Sequence, residues 1–182
     1  MSTSADMPYF IRPSRPMADA EKRRAYEEAL AQVAANLQGE KNAVLKMATI
    51  NCLLKTHLPY FYWVGFYLMH EGRLMIGPYQ GTLGCLYIEP GRGVCGKAVV
   101  QRQTQIVADV HTLAQGTDHI ACDPNSASEI VVPVFDHYQQ LRAVLDVDST
   151  LPGSFDATDR HYLEKMVDAH FAKAALSGWP VG

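Results

Sequence analysis

The stretch Tyr60–Met69 reads YFYWVGFYLM. It is followed by a short turn, His70–Arg73, and by a second apolar run, Leu74–Tyr79. The first run is dense in aromatic residues and valine, which is typical of a strand buried on both faces. Two such runs joined by a short turn that contains a glycine predict a β-hairpin. We therefore expect antiparallel pairing in the sheet that this hairpin belongs to.

Helices are predicted on both sides of the strand-rich region. Apolar residues recur at three- and four-residue steps in Ala18–Leu37 and Asn42–His57, and Asn42 is a suitable N-cap. After the hairpin we expect strands at 86–88, 105–110, 129–135 and 142–147, a short helix at 94–101, and a last helix that opens at Ser154. This order indicates an α+β fold, an antiparallel sheet with helices on its face.

Length and composition exclude several classes of protein. The chain has 182 residues, 48% of them hydrophobic, which suits one domain with a real core. Sixteen basic residues against nineteen acidic ones leave no basic surplus for nucleic acid. No apolar run is long enough to span a membrane, and the N-terminus has no signal-peptide layout. We therefore expect a cytoplasmic protein whose cysteines rest as thiols.

The four cysteines are the first candidates for chemistry, and no two of them form a CxxC pair. Cys95 falls in the first turn of a predicted helix beside Arg92, where N–H groups and cations lower the pKa of a thiol. Cys85 and Cys122 fall in a turn and in a long loop, which favours access. Cys52 lies mid-helix and is interpreted as a small buried residue, and the same interpretation stays open for the other three.

Acidic and aromatic residues suggest a pocket. Asp146 and Asp148 are two residues apart on a predicted strand and so face the same side, while Glu129 begins the preceding strand. Three neighbouring carboxyl groups can bind an ammonium group or supply a proton; a solvated strand end is the alternative. Aromatic residues of the 60–69 strand, including Trp63 and Tyr67, occupy both of its faces, so one face can wall the pocket unless both are core.

Two further patterns are weaker. Gly91–Gly96 matches the GxGxxG pattern of dinucleotide sites, but Asp109 follows only thirteen residues later and no further βαβ unit is present. A glycine turn is the favoured interpretation. His111, His119 and Cys122 with Asp123 contain metal-ligating groups, but their spacing matches no standard metal site.

Several motifs occur together in one order: YWVGFYL, LMIGPYQG, GRGVCGKAV, VADVH, HIACD, SEIVVPV and VLDVDS. This set resembles the free methionine-(R)-sulfoxide reductases, which are single GAF domains, from about Ala18 to Phe171. The resemblance implies a six-stranded antiparallel sheet flanked by helices, with an arm at 1–17, one domain at 18–176 and a tail at 177–182. The chain differs from the family pattern at Thr82-Leu83-Gly84, where a proline and an alanine are expected, and at Ala143, where a glycine is usual.

The resemblance also implies an activity, the reduction of free L-methionine (R)-sulfoxide without a metal or organic cofactor. Cys85, Cys95 and Cys122 match the family's redox cysteines, with Cys122 as our nucleophile. Glu129, Asp146 and Asp148 match its pocket acids, and Trp63 and Tyr67 match aromatic positions beside the methyl group of the ligand. Thioredoxin or a similar dithiol is the expected reductant.

Other functions remain open at this point. One alternative is a sensory GAF module that binds a small ligand without converting it, and another is a peroxide-sensing thiol switch. The oligomeric state is open as well, since the helix Ala18–Leu37 can pack against a second copy of the chain. No nucleic-acid or membrane partner is expected.

Overall fold

A computed structural model of the chain describes residues 12–113 and 123–179. This part contains four α-helices and six strands. A 3-10 turn at Val110–Thr112 precedes the fifth strand, and a π turn at Asp168–Ala172 continues the last helix. The elements are, in chain order, α1 (Asp19–Asn36), α2 (Ala43–His57), β1 (Trp63–His70), β2 (Arg73–Gln80), β3 (Tyr87–Ile88), α3 (Gly93–Gln101), β4 (Gln105–Val107), β5 (Ser128–Phe135), β6 (Leu141–Ser149) and α4 (Ala157–Val167).

The strands form one sheet in the order β3-β2-β1-β6-β5-β4, and every pairing in it is antiparallel. The predicted α+β architecture with a six-stranded antiparallel sheet is therefore confirmed. The hairpin of β1 and β2 is also present, with β1 near the centre. The division into arm, domain and tail stays a prediction. Among the described residues, no helix combines the length and apolar character that crossing a membrane requires.

The first central strand begins at Trp63 and not at Tyr60, as the sequence had suggested. The Phe61 N–H donates to the Leu58 carbonyl at 3.0 Å, and the Lys55 ammonium group donates to the Phe61 carbonyl. Both backbone groups of Phe61 are therefore used outside the sheet. β4 is likewise shorter than predicted, because the chain turns into the 3-10 segment soon after Val107.

The two faces of the sheet contact different parts of the protein. Because successive side chains of a strand point to opposite faces, odd- and even-numbered residues of β1 lie on different sides. One face packs against α1, α2 and α4 and includes Val64, Phe66 and Leu68 of β1. The other face includes Trp63 and Tyr67, together with residues of α3. Strand β6 alternates in the same way, so its aspartates point away from the helical core.

A buried polar network joins α1 to α4 behind the sheet. Asp159 is fully buried and accepts hydrogen bonds from the hydroxyls of Tyr26, at 2.7 Å, and Tyr60, at 2.6 Å. The Lys22 ammonium group forms ion pairs with Asp159 and, at 3.0 Å, with Asp156. Because the buried Asp159 is fully partnered, this network stabilises the packing of the first helix on the last.

Candidate active site

The three predicted pocket acids lie side by side on the second face of the sheet. Asp146 and Asp148 are two residues apart on β6, and Glu129 of β5 is directly opposite Asp148 in the antiparallel register. All three line one cavity, together with Cys95, Trp63 and Tyr67. The expectation that neighbouring strands bring these carboxyl groups together is therefore correct.

Burial and mutual repulsion raise the pKa values of these acids. Burial raises the pKa of Asp146 to about 7, although hydrogen bonds to Cys95 and Glu129 oppose that rise. Burial, followed by the charges of Asp146 and Asp148, holds the pKa of Glu129 well above its usual range. Burial and the charge of Asp146 do the same to the pKa of Asp148, against a hydrogen bond from Ser126. Glu129 thus keeps a proton and donates it in a hydrogen bond to Asp146.

One oxygen of Asp146 has no partner. Asp146 is 7% exposed, and its Oδ1 is buried without a hydrogen bond from any described residue. A buried carboxylate oxygen without a donor is costly. Asp146 Oδ1 is therefore an acceptor in this cavity that the described residues leave without a donor.

Aromatic rings form one wall of the cavity. Trp63 stacks between Tyr79 and Tyr67, with ring centroids 5.3 Å and 5.9 Å away. The indole can lie flat on the strand because residue 65 is glycine: a Cβ there would lie 2.5 Å from the ring of Trp63 and 2.4 Å from Tyr79 Cβ. Of the two interpretations that the sequence left open for β1, the structure agrees with a core face and a face that lines a cavity, and a role of Trp63 and Tyr67 in binding a ligand stays a prediction.

Cys95 reaches the same cavity from the N-terminal turn of α3. The turn before it needs a left-handed backbone at Gly91 and Gly93, with φ of +80° and +61°, so the glycine-turn interpretation of Gly91–Gly96 is correct. The expected low pKa of the Cys95 thiol is wrong. Burial, and then the charges of Asp146 and Glu129, raise the pKa of Cys95. The thiol is therefore held protonated beside Asp146.

One group of potential metal ligands was found among the described residues. It consists of Cys95, Glu129 and Asp146, which lie close enough together to share a metal ion. Their ligand atoms, one sulfur and two carboxylate oxygens, lie within 4.8 Å of one another. A thiolate with two carboxylates suits a borderline cation such as Zn²⁺.

The remaining cysteines have different positions. Cys85 lies between β2 and β3, and its sulfur is in a disulfide, so the expectation that every cysteine rests as a thiol does not hold for it. Cys122 and His119 lie outside the described residues. Cys52 is exposed and not buried as expected, because it is on the opposite side of α2 from the inward-facing Ile50 and Leu54.

The sequence pointed to Asp123 only as part of a metal set with no standard spacing, and it did not reveal the hydrogen bonds that Asp123 accepts beside the cavity. Asp123 lines it and accepts hydrogen bonds from the Tyr62 hydroxyl, at 2.9 Å, and from the Thr82 hydroxyl. The Asn125 N–H and side-chain amide donate to its other oxygen at 2.8 Å and 2.9 Å. Asp-Pro-Asn is a turn sequence that could have indicated this local structure. The long-range partners Tyr62 and Thr82 carry no sequence signal.

Comparisons with known proteins agree with this architecture. The family model described as GAF domain matches residues 57–169. The free methionine-R-sulfoxide reductase of Escherichia coli (strain K12) is 41% identical over 131 residues, which cover 72% of this chain and 77% of that protein.

Two solved structures are similar over most of their length. The fRMsr of Staphylococcus aureus in its reduced form is 41% identical, with a TM-score of 0.74 over 79% of this chain and 90% of that one. The free methionine-R-sulfoxide reductase of Neisseria meningitidis, in complex with its substrate, is 37% identical, with a TM-score of 0.76 over 87% and 92% of the two chains.

The curled antiparallel sheet with a ligand cavity on one face defines a GAF domain, and the chain belongs to that family. Among GAF proteins it belongs with the free methionine-R-sulfoxide reductases, a family of oxidoreductases.

Proposed function

We propose that this protein reduces free L-methionine (R)-sulfoxide to L-methionine, using Cys122 as the nucleophile. The observation that carries the proposal is one cavity that gathers three acids, Cys95 and the rings of Trp63 and Tyr67. Such a cavity suits a lone amino acid better than a residue within a folded protein. The membership of the chain in the reductase family supports the same activity.

The acids and the aromatic wall are suited to different parts of the substrate, its ammonium group and its methyl sulfoxide end. A substrate ammonium group carries three donors, and the unpartnered Oδ1 of Asp146 is a buried acceptor without one. Binding a cation favours the charged form of the neighbouring acids and so offsets their mutual repulsion. Trp63 and Tyr67 supply flat apolar surfaces of the kind that contact a methyl group and sulfur favourably.

The reaction transfers one oxygen atom from sulfur to sulfur. The Cys122 thiolate attacks the sulfoxide sulfur and forms a sulfur–sulfur bond while the oxygen takes up a proton. The resulting hydroxyl passes from the substrate sulfur to the Cys122 sulfur, the substrate sulfur–oxygen bond and the sulfur–sulfur bond break, and methionine leaves with Cys122 as a sulfenic acid. A protonated acid of the cavity assists the departure of the oxygen, and Asp146, with a pKa raised to about 7, can exchange a proton near neutral pH.

A second cysteine then resolves the sulfenic acid. The Cys85 thiol displaces its oxygen as water and forms a disulfide, and Cys95 is the next resolver because it lies in the same cavity. The raised pKa of Cys95 makes it a weak nucleophile until a base takes its proton, and the adjacent Asp146 is that base. Thioredoxin or a similar dithiol returns the enzyme to the thiol form by exchange.

Chromatography of free amino acids tests the proposal directly. With a mixture of R and S sulfoxides and a dithiol reductant, we expect methionine to appear at the expense of the R epimer alone. Cys122→Ser should release none, Cys85→Ser should release the first equivalent normally and later ones more slowly, and Cys52→Ser, altered on the exposed side of α2, should match the unaltered protein. Methionine formed by Cys122→Ser would refute the nucleophile.

Thiol titration separates the enzyme from the two alternatives. Stoichiometric loss of two thiols on adding the sulfoxide supports catalysis. Binding without thiol loss is the behaviour of a sensory module. Faster loss to dilute peroxide than to the sulfoxide is the behaviour of a peroxide switch.

A further inference from the structure

Asp123 is the residue that directly follows Cys122, and its carboxylate is fully occupied by the protein. A carboxylate offers about four lone-pair sites. Oδ1 accepts from the N–H and the side-chain amide of Asn125, and Oδ2 accepts from the hydroxyls of Tyr62 and Thr82. Hydrogen bonds outweigh the effect of burial and lower the pKa of Asp123, so it stays charged. It therefore has no capacity left for a ligand, in contrast to Asp146 with its unpartnered oxygen.

The partners of Asp123 belong to the structure around Cys85. Thr82 is three residues before Cys85, and its carbonyl accepts a hydrogen bond from the Trp63 indole N–H at 2.9 Å. The other end of this loop is fixed by the Ile76 N–H, which donates to the Leu86 carbonyl at 3.0 Å. The 82–86 loop is thus tied to the sheet at both ends, and the Thr82 hydroxyl is its connection to Asp123.

We propose that Asp123 and Thr82 are positioning residues: their hydrogen bond holds the residue next to Cys122 against the loop that carries Cys85, so that the resolving disulfide forms promptly. Adjacent Cα atoms are about 3.8 Å apart, so fixing residue 123 limits where residue 122 can go. Tyr62, which directly precedes β1, is a second donor to the same oxygen, so Asp123 is also tied to the start of that strand. The proposal rests on the proposed function.

The step that this contact assists is balanced without an added reagent. The sulfoxide has already given its oxygen to Cys122. The Cys85 sulfur then bonds to the Cys122 sulfur, the sulfur–oxygen bond of the sulfenic acid breaks, and the oxygen leaves as water with the Cys85 proton. The rate depends on how often the two sulfurs meet in line, which is the quantity that a positioning contact changes.

A single turnover with a sulfenic-acid trap tests the proposal. In Thr82→Val, which keeps the shape and removes the hydroxyl, we expect disulfide formation to slow by about tenfold or more, since small misplacements of reacting groups cost one to two orders of magnitude. The trap should label Cys122 in this variant and hardly at all in the unaltered protein. Release of the first methionine is followed in the same experiment, and disulfide formation should slow more than that release does, because the contact holds residue 123 against the loop of Cys85.

Three further variants keep the result interpretable. Thr82→Ser retains the hydroxyl and should restore fast disulfide formation. Tyr62→Phe removes the other donor and should act in the same direction as Thr82→Val. The matched control is Thr56→Val, which removes a hydroxyl that donates to the Cys52 carbonyl at 2.8 Å on the exposed side of α2, and it should behave as the unaltered protein. If folded Thr82→Val forms the disulfide at the normal rate, or if Thr82→Ser fails to restore that rate, the proposal is overturned.

A second measurement separates this proposal from the proposed function. In glutathione redox buffers, with no sulfoxide present, Thr82→Val should shift the equilibrium of the Cys85 disulfide towards thiols by about tenfold, because the contact raises the effective concentration of the two sulfurs. An unchanged equilibrium overturns the positioning role. If the unaltered protein releases no methionine while the equilibrium shifts, the proposed function fails and the positioning role stands.

Discussion

Replacing Asp146 by asparagine should stabilise the empty protein at neutral pH while removing its activity. Burial raises the pKa of Asp146 from 3.8 to about 7. Between those two values the folded protein holds a proton that the unfolded chain has released, so the free energy of unfolding falls as the pH rises. At about 1.4 kcal/mol for each pH unit, an interval of about three units corresponds to about 4 kcal/mol lost between pH 4 and pH 7.

Two other contributions modify this magnitude. The charge of Asp146 also raises the pKa values of Glu129 and Asp148, so its removal relieves them and adds to the stabilisation. The asparagine amide brings donors that need partners, and a buried unsatisfied donor costs about 1–3 kcal/mol. We therefore expect Asp146→Asn to gain about 1–4 kcal/mol over the unaltered protein above pH 7 and to lose that advantage towards pH 4.

Urea unfolding at a series of pH values is the assay, with Asp19→Asn, the same change on the exposed first turn of α1, as the matched control. Methionine should stabilise the unaltered protein and the control more than Asp146→Asn, because the substituted site has lost the acceptor for the ammonium group. Parallel unfolding curves for Asp146→Asn and the unaltered protein from pH 4 to pH 8 would refute the argument.

Three more outcomes follow from the contacts described above. Asp159→Asn should lower the free energy of unfolding by about 3–5 kcal/mol in urea, because it leaves the Lys22 ammonium group buried without its main partner. Gly65→Ala should raise KM for the sulfoxide by about tenfold or more in steady-state assays, since the new methyl group displaces the Trp63 ring, and an unchanged KM would contradict the proposed wall. Zn²⁺ should inhibit in competition with the sulfoxide and EDTA should reverse it, because Cys95 and its two carboxylate neighbours surround the ammonium position.

Periodicity predicted the fold well because local pattern and tertiary burial agree in most elements. The apolar repeat of α2 and its Asn42 cap were both readable, and the cap accepts from the Leu45 N–H at 3.0 Å as expected. Alternation on β6 likewise placed Asp146 and Asp148 on one face. Strand ends were less predictable: the Lys55 ammonium group, six residues before Phe61, donates to the Phe61 carbonyl outside the sheet, and no hydrophobic period records such a side-chain contact.

The protonation states and hydrogen bonds of the site were harder to predict than the residues that line it. A cysteine at a helix N-terminus beside cations favours a thiolate, yet the tertiary fold buries Cys95 against three acids and reverses the direction of its pKa shift. The contact between Thr82 and Asp123 joins residues 41 positions apart in sequence. Such a contact depends on how two loops approach, and a single sequence carries no period or motif that records it.

One face of the sheet carries the apolar core and the other carries the cavity. This division explains how the domain stays folded although the buried acids of the cavity lower the free energy of unfolding. The helical face buries an apolar cluster and pairs its ionic groups, Lys22 with Asp159 among them. The opposite face keeps three acidic groups together and leaves Asp146 Oδ1 without a donor among the described residues. The packing of the helical face supplies the free energy of folding. We expect a bound ligand to offset the unfavourable burial of the acids on the opposite face. Substitutions behind the sheet should therefore change the free energy of unfolding with little effect on KM, whereas those in front should raise KM, and some, as at Asp146, should make the empty protein more stable.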